Sequence, residues 1–385
     1  MKEIVKVCTR CVMDTSDPHI YFDIKGVCNH CYNSERSFET TKSLTEKEFL
    51  KLSDQIKIEG KDEKYDCIIG LSGGVDSSYL ALILKETYGL RPLAVHLDNG
   101  WNSKLATKNI FNIVKKLDIG LHTHVIEWEE FKDLQKSYIK ASVVDIEALT
   151  DHAITSLMYQ QAKLNGIKYI LDGTNSSSEA KLPVSWRFNK ADSKNIKDIH
   201  NKYGKSLINT FPLMTNREKK SIKKSIYQIA PLDYVDYNKE TSKKILIEKL
   251  NWKDYGGKHH ESIFTRFYQG YILPKKFNID KRKSHLSSLI YSNQISREEA
   301  LKELNNEHYP EELMNQDIEY VIKKLDLSID EFNKYINSKP VSHFHYQTTT
   351  YSKIEGLIHP KVGKYYDKLI TTVPFIHKII IKLFS

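Results

Sequence analysis

The chain has 385 residues, 40% of them hydrophobic and 28% charged, and a formal net charge of +9. That length supports more than one domain and a sizeable core, and the composition excludes a disordered chain. The positive balance suits an anionic partner (a nucleotide, a sugar nucleotide, RNA or a membrane surface) without choosing among them, and a merely solvated basic surface stays open. The opening MKEIVKVCTR has no signal-type apolar stretch, and no run nears the ~20 residues of a spanning helix, so a cytoplasmic protein with reduced thiols is expected.

Four of the five cysteines lie in CTRCVMDTSDPHIYFDIKGVCNHC: Cys8 and Cys11 form one C-x-x-C, and Cys28 and Cys31 another, 16 residues on. This spacing predicts a four-thiolate zinc site on two tight knuckles, with Gly26 near the turn of a hairpin between them. Four sulfurs close the coordination sphere, so Zn²⁺ here is structural and folds a segment too small to fold alone. An iron–sulfur cluster or free thiols are the alternatives. His19 and His30 are nearby candidate ligands or plain loop histidines.

Residues 41–60 read as a helix ending at Gly60, and strands and helices then alternate. YDCIIGL is a strand, and DSSYLALILKETYG a helix stopping at Gly89. RPLAVHLDNG is a second strand, 103–118 a helix, LHTHVIEW a third strand, 141–165 helical, and IKYILDGTN a fourth strand. Such alternation predicts an α/β fold, a parallel sheet covered on both faces, with ligands at the carboxyl ends of the strands. From about 180 to 250 the chain is lysine-rich and less regular; NREKKSIKKS reads as a solvated basic face or an anion contact. Residues 296–335 read as two surface helices. The tail TTVPFIHKIIIKLFS reads as a packed terminal helix or an amphipathic segment for a partner or membrane surface. Four parts are expected: a zinc module over 1–40, an ATP-binding α/β domain over 41–250, a helical substrate and catalytic region over 251–340, and a tail over 341–385.

The first strand runs into Ser72, Gly73, Gly74, Val75, Asp76, Ser77 and Ser78. Glycines allow a tight turn, the next helix offers free N–H groups, and the serines add hydroxyls, which together make a phosphate cradle. A Walker A lysine is missing, and Asp76 beside a phosphate makes sense with Mg²⁺ between them. The absence of G-x-G-x-x-G disfavours a dinucleotide-binding dehydrogenase.

SGGVDSS after a strand resembles the PP-loop of the ATP-pyrophosphatase superfamily, a Rossmann-like adenine nucleotide alpha hydrolase-like fold. The resemblance implies ATP cleavage between the α and β phosphates, an adenylylated intermediate, and pyrophosphate held by the loop. It places the second strand end, Leu97 and Asp98, toward adenosine. Taken with CTRCVMDTSDP…GVCNHC, LDNGWNS, LDGTN and GGKHHESIFTRFYQGYILPKKFNIDKRKSHLSSLI, the chain is similar over roughly 5–310 to the N-acetyl sugar amidotransferase family. That likeness implies conversion of an acetamido group of an activated sugar to an acetamidino group, in the making of bacterial surface polysaccharide (lipopolysaccharide O-antigen) or nonulosonic acid-bearing flagellar glycans. It implies a separate glutaminase subunit similar to that of histidine biosynthesis, sometimes with a cyclase-like barrel protein, and no nucleic acid. No cysteine suits a glutaminase within the chain, because Cys67 lies in an apolar strand and Lys2 follows Met1. A tRNA-modifying sulfurtransferase and a zinc-bearing nucleotide-binding scaffold are the competing readings.

The roles implied are these. Ser72 to Ser78 hold ATP phosphates, with Asp76 toward Mg²⁺. Asp98 lies at the adenosine side or caps a helix. Gly173, Thr174 and Asn175 lie near ribose or the α-phosphate, or form an ordinary turn. Lys258, His259, Glu261 and Arg266 are the catalytic candidates, with Lys258 toward charge on the α-phosphate and Glu261 toward a metal or a proton; a surface ion-pair cluster is the alternative. Trp186, Arg187, Lys281, Arg282 and His285 are the substrate candidates, against a plain helix-surface reading. Asp151 and His152 are weaker ones.

Overall fold

The computed structural model describes residues 5–176, 182–256, 260–350 and 352–353. The N-terminal module is a pair of knuckles tied by antiparallel bridges Val7↔Asp14 and Phe22↔Cys28, followed by α1 (Asn29–Lys42). Gly26 turns the chain at φ +79, where a Cβ would meet Thr9 Cγ2 at 2.7 Å. Helix α2 (Glu46–Glu59) starts in a capping box between Thr45 and Glu48 and ends at Gly60.

Next come β1 (Cys67–Gly70), α3 (Val75–Glu86), β2 (Pro92–Asp98), α4 (Lys104–Leu117), β3 (Gly120–Val125), α5 (Trp128–Ala141), α6 (Ala148–Leu164) and β4 (Tyr169–Leu171). They are followed by α7 (Ser193–Tyr203), α8 (Asn216–Ile222), β5 (Tyr227–Ile229) and α9 (Lys239–Leu250). The strands form one parallel sheet in the order β3-β2-β1-β4-β5. Side chains alternate across it: Cys67, Ile69, Leu71 and Ala94 enter one core with α3, α4 and α9, while Ile68, Leu93, Val95 and Leu97 enter the other with α5 and α6. Both faces of the central strands β1, β2 and β4 are therefore buried, as parallel strands require, while the edge strands β3 and β5 keep exposed residues. The order reverses between β1 and β4, and a crevice opens at such a reversal.

Three expectations need correction. The helix placed over 141–165 begins only at Ala148, because α5 ends at Ser142 in the left-handed region (φ 56) and Asp145 is left-handed too (φ 60). A fifth strand pairs with β4 inside the stretch read as irregular. Residues 296–335 hold three helices, α13 (Arg297–Leu304), α14 (Glu311–Lys324) and α15 (Ile329–Asn337). Pro310 caps the second, Asp326 turns left-handed before the third, and Val321 and Phe332 are buried, so these helices do more than cover a surface. The tail past Lys353 lies outside the described residues.

Between α9 and α13 run α10 (Ile263–Phe267), a π-turn (Tyr268–Ile272), α11 (Leu273–Phe277) and α12 (Lys281–Tyr291). Pro274 has no N–H for the carbonyl of Gly270, and the widened turn absorbs the missing bond.

Candidate active site

The loop after β1 is drawn tight by its own groups. Ser72 Oγ accepts from Gly74 N–H at 3.2 Å and lies 3.2 Å from Ser77 Oγ, and Ser77 Oγ donates to Gly74 O at 3.3 Å. Gly73 is left-handed (φ +82), and a Cβ on it would meet the Ala106 carbonyl at 2.8 Å, so backbone freedom and the approach of α4 both demand glycine there. Gly74 caps α3 without a side-chain bond, which leaves first-turn N–H groups facing outward. Ser72 and Ser77 sit on the loop, whereas Ser78 is fully buried and its hydroxyl has no partner among the described residues. Tyr237 donates its hydroxyl proton to Asp76 Oδ1 and so orients that carboxylate.

The chain between α9 and α10 is laid across this loop. Trp252, itself buried, donates Nε1–H to Gly73 O at 2.8 Å. Lys253 and Asn109 exchange two hydrogen bonds of 2.9 Å. The Tyr255 ring stands edge-on to Trp252, with centroids 5.5 Å apart. Further on, Ser103 N–H donates to Glu261 O at 2.8 Å, Ile263 N–H donates to Trp101 O at 3.0 Å, and Asn102 pairs with Ser262 as an antiparallel bridge. A Cβ on Gly74 would stand 3.1 Å from Tyr255 Oη and 3.6 Å from Glu261 Oε1. The block around GGKHHES, far from the loop in sequence, thus borders the phosphate cradle. Lys258 and His259 fall outside the described residues.

At the end of β2, Asp98 Oδ1 accepts from Gly100 N–H at 2.9 Å and from Asn102 Nδ2–H at 3.2 Å, and Ser103, not Asp98, caps α4. Leu97 turns its side chain into the core, leaving only its backbone at the rim. His96 joins β2 to the loop: Nδ1–H donates to Leu71 O at 2.9 Å, and Nε2 accepts from Asn102 at 3.1 Å. Burial lowers the pKa of this imidazole, in keeping with a neutral ring fixed in one tautomer.

At the end of β4, Asp172 accepts from Thr174 N–H at 3.0 Å and from Gln228 Nε2–H at 2.6 Å, which locks the turn. A Cβ on Gly173 would lie 3.2 Å from Ser77 N, so Gly173 rests against the first turn of α3. The ends of β1, β2 and β4 therefore meet around one cradle.

A second cluster adjoins it. Asn99 Nδ2–H donates to Thr150 Oγ1 at 3.2 Å, placing the first turn of α6 beside the β2 end. There Glu147 accepts from Gln269 at 2.9 Å and faces Lys281 at 3.7 Å, and Asp151 pairs with Lys190. Phe188 N–H donates to Asp145 Oδ2 at 2.9 Å. Trp186 is buried nearby in the chain, and its Nε1 has no partner among the described residues; Arg187 Nε–H donates to Leu182 O. His152 is not at this surface: its Nδ1–H donates to Lys190 O at 2.7 Å and its Nε2 accepts from Met214 N–H at 3.2 Å.

Two candidates have other work. The Arg266 guanidinium forms a two-pronged pair with Asp317 on α14, at 2.8 and 2.7 Å, largely out of water, so it fastens α10 to α14 instead of facing a phosphate. Arg282 bonds Asp280 and the carbonyl of Asn306 just beyond α13. His285 lies half-buried on the same helix. Sequence reading missed His96, Tyr237, Trp252 and Tyr255; for the last two, the aromatic pair just before a Gly-Gly turn was an available signal.

The four cysteines converge. Their ligating atoms lie within 4.8 Å of one another, and Cys8–Cys31 and Cys11–Cys28 are 3.6 Å apart, sulfur to sulfur. Metal–sulfur bonds of about 2.3 Å in a tetrahedron give edges of about 3.8 Å, so the set fits a metal ion. Backbone N–H groups of Cys28, Cys11 and Arg10 point at Cys8 Sγ, and Tyr291 Oη–H donates to Cys31 Sγ at 3.2 Å. His30 bonds Asp17 at 2.7 Å and takes no part. Arg297 grips the carbonyls of Cys8 and Cys11 at 2.8 and 3.1 Å, which docks the module on α12 and α13.

Two protein-family models match this arrangement: NAD synthase over residues 46–217, and the C-terminal domain of LPS biosynthesis protein WbpG-like proteins over residues 261–357. The chain joins an NAD synthase-type PP-loop domain to a WbpG-like C-terminal domain. That pairing is consistent with the N-acetyl sugar amidotransferase family and supports an ATP-utilising, amidotransferase-like role. An uncharacterized protein of Methanocaldococcus jannaschii is 28% identical over 320 residues, covering 80% of this chain and 96% of that protein. A glutamine-hydrolysing GMP synthase chain of Methanococcus vannielii is 34% identical over 110 residues, 28% of this chain and 34% of that one, so the match spans about a third of that relative. Among solved structures, the ammonia-dependent NAD synthetase of Campylobacter jejuni aligns at 18% identity, with TM-score 0.28 over 53% of this chain and 82% of that one. The NMN synthetase of Francisella tularensis aligns at 15% identity, with TM-score 0.33 over 74% and 97%. No helix among the described residues is long and apolar enough to cross a membrane.

Proposed function

We propose that the protein is an ATP-dependent, AMP-forming amidotransferase that converts an acetamido group on an activated N-acetyl sugar to an acetamidino group during lipopolysaccharide or related surface-glycan synthesis. One observation carries the reading: Glu261, the first residue of the WbpG-like domain, lies beside Gly74 of the PP-loop, so the segment specific to that domain borders the site where ATP would be cut.

An amide oxygen leaves poorly. In the proposed reaction it attacks the α-phosphorus of ATP, and pyrophosphate departs into the cradle of Ser72 to Ser77 and the first-turn N–H groups of α3. Ammonia then attacks the activated carbon, the C–O bond to AMP breaks, and a proton passes from nitrogen to a base. Glu261 is the proposed acceptor, and Lys258 would steady charge on the α-phosphate. Asp76 would hold Mg²⁺, whose charge screens the phosphates from the carboxylates around them. The sugar nucleotide is assigned to the cluster of Glu147, Asp151, Lys190 and Lys281 with Trp186 and Arg187. The four cysteines would hold Zn²⁺ as a structural ion.

Four of the five cysteines are gathered in the N-terminal cluster, and Cys67 is fully buried with its thiol pushed up by desolvation. A thiolate nucleophile for sulfur transfer or glutamine hydrolysis is therefore unsupported, and ammonia is assigned to a separate glutaminase subunit. The test is to incubate the protein with ATP, Mg²⁺, ammonium and a panel of acetamido sugar nucleotides. The expected products are AMP, pyrophosphate and a sugar in which NH replaces O. ADP, or pyrophosphate release that depends on tRNA, overturns the reading.

A further inference from the structure

Asp317, Tyr320 and Lys324 recur at helical spacing along α14 and share a face. Asp317 meets Arg266, and the other two reach the loop that follows β2. There the Lys324 ammonium sits in a cage of rings, 4.7 Å from the Trp101 centroid, 4.6 Å from that of Trp128 and 5.4 Å from that of Tyr320, and it donates to the Gly100 carbonyl. Trp101 stands edge-on to both other rings, at 5.3 Å from Trp128 and 6.1 Å from Tyr320. It is buried, and its Nε1–H donates to Gln135 Oε1 at 2.8 Å. The loop fits this cage only with glycine at 100, which is left-handed (φ +82) and whose Cβ would meet Trp128 Cε3 at 2.8 Å. The clamped loop touches several parts of the proposed site. Asp98 and Asn99 accept from Gly100 N–H and Trp101 N–H, Asn99 reaches Thr150 at 3.2 Å, and the backbones of Ser103 and Trp101 bond those of Glu261 and Ile263 at 2.8 and 3.0 Å.

We propose that Lys324 is a positioning residue for the nucleotide: through its caged ammonium the WbpG-like domain fixes the loop from Asp98 to Ser103, and with it the adenosine side of the site and the backbone of Glu261. This rests on the ATP reading of the loop after β1. An ammonium is drawn to ring faces where an uncharged side chain gains contact alone, and its bond to the Gly100 carbonyl is charge-assisted. Both contributions vanish when the charge is removed, even if the stem is kept. The phosphate cradle is built separately, from Ser72 to Ser77 and the first turn of α3, so the two ends of the nucleotide should respond differently to a change at position 324.

The test is calorimetric titration of the full-length protein with MgATP and, separately, with magnesium pyrophosphate, in wild type, Lys324→Met and Lys324→Arg, each first shown to melt cooperatively. Methionine keeps an apolar stem without the charge, and arginine keeps a cation over the rings. Loss of a caged cation is worth about a two- to thirtyfold change in affinity. The dissociation constant for MgATP is expected to rise by that factor in K324M and to return toward wild type in K324R, with that for pyrophosphate unchanged in both. Gly100→Ala, which drives a Cβ into Trp128 and leaves the cation in the chain, should weaken MgATP in the same selective way and carries the test if K324M does not fold. If wild type binds MgATP but the folded variants bind it as tightly, or lose pyrophosphate to the same degree, or K324R is no better than K324M, this proposal alone is lost. If wild type does not bind MgATP, the reading of the loop is lost with it.

Discussion

Trp252 Nε1–H and the carbonyl of Gly73 meet at 2.8 Å across 179 residues of sequence, and both lie at the base of the phosphate cradle. The indole is buried, so its removal strands a buried carbonyl. Trp252→Phe should destabilise the protein by about 1–3 kcal/mol and weaken ATP binding through a loosened loop. Thermal melts with and without ATP check this. An unchanged melting temperature would mean that the loop holds its shape without the strap.

Arg266 and Asp317 separate a structural role from a catalytic one. Their side chains are 13% and 6% exposed, and breaking so buried a pair typically costs about 3–5 kcal/mol. Arg266→Met alone should therefore unfold the protein readily. Arg266→Met with Asp317→Leu should recover much of that stability, because no buried charge is left alone. If the double variant folds and its turnover with ATP and ammonium matches wild type, Arg266 is structural. A folded double variant with turnover lowered a hundredfold or more would return it to the chemistry.

The strand, loop and helix from Asp66 to Glu86 were legible because an apolar run, two glycines and a helical period follow one another within a few residues. The other early strands were legible for a similar reason: each is a short apolar run bounded by turn residues. Strand β5 was not, since Tyr227, Gln228 and Ile229 make only three residues, the first two exposed, behind a lysine-rich helix. The loop itself could be named from sequence, but its lining could not. Tyr237 and Tyr255 reach α3 through long-range contacts that leave no local period. Arg266 looked like a site residue for the converse reason: its partner Asp317 lies 51 residues away, and the sequence around Arg266 gives no sign of it.

The cysteine cluster makes a prediction about the far end of the chain. Tyr291 and Arg297 tie α12 and α13 to Cys31, Cys8 and Cys11, so losing the metal should loosen both helices. Cys28→Ser, or treatment with a strong chelator, should release the bound ion and speed proteolytic cleavage between 281 and 304. Metal analysis by mass spectrometry and timed digestion read the two effects. A protein purified without a stoichiometric metal, yet equally resistant to protease, would rule out a metal clamp.

His152 sets the acid side of the stability profile. Burial pushes its imidazole down to about 4, against the support that the Lys190 carbonyl gives the protonated form. The two hydrogen bonds agree with a neutral ring, one nitrogen donating to that carbonyl and the other accepting from Met214 N–H. The folded protein therefore leaves His152 unprotonated at a pH where the unfolded chain, with its ordinary value of 6.5, takes up a proton. Stability from this group is complete above about pH 6.5 and is lost as pH falls toward 4, by on the order of 3 kcal/mol. His152→Asn keeps a donor for the Lys190 carbonyl and has no proton to gain. Denaturant unfolding of both proteins between pH 7 and pH 4 should show wild type losing stability faster than the variant, with the gap between the two curves closing or reversing across that window. Parallel curves would mean that folded His152 takes up its proton over the same pH range as the unfolded chain, so that burial does not lower it.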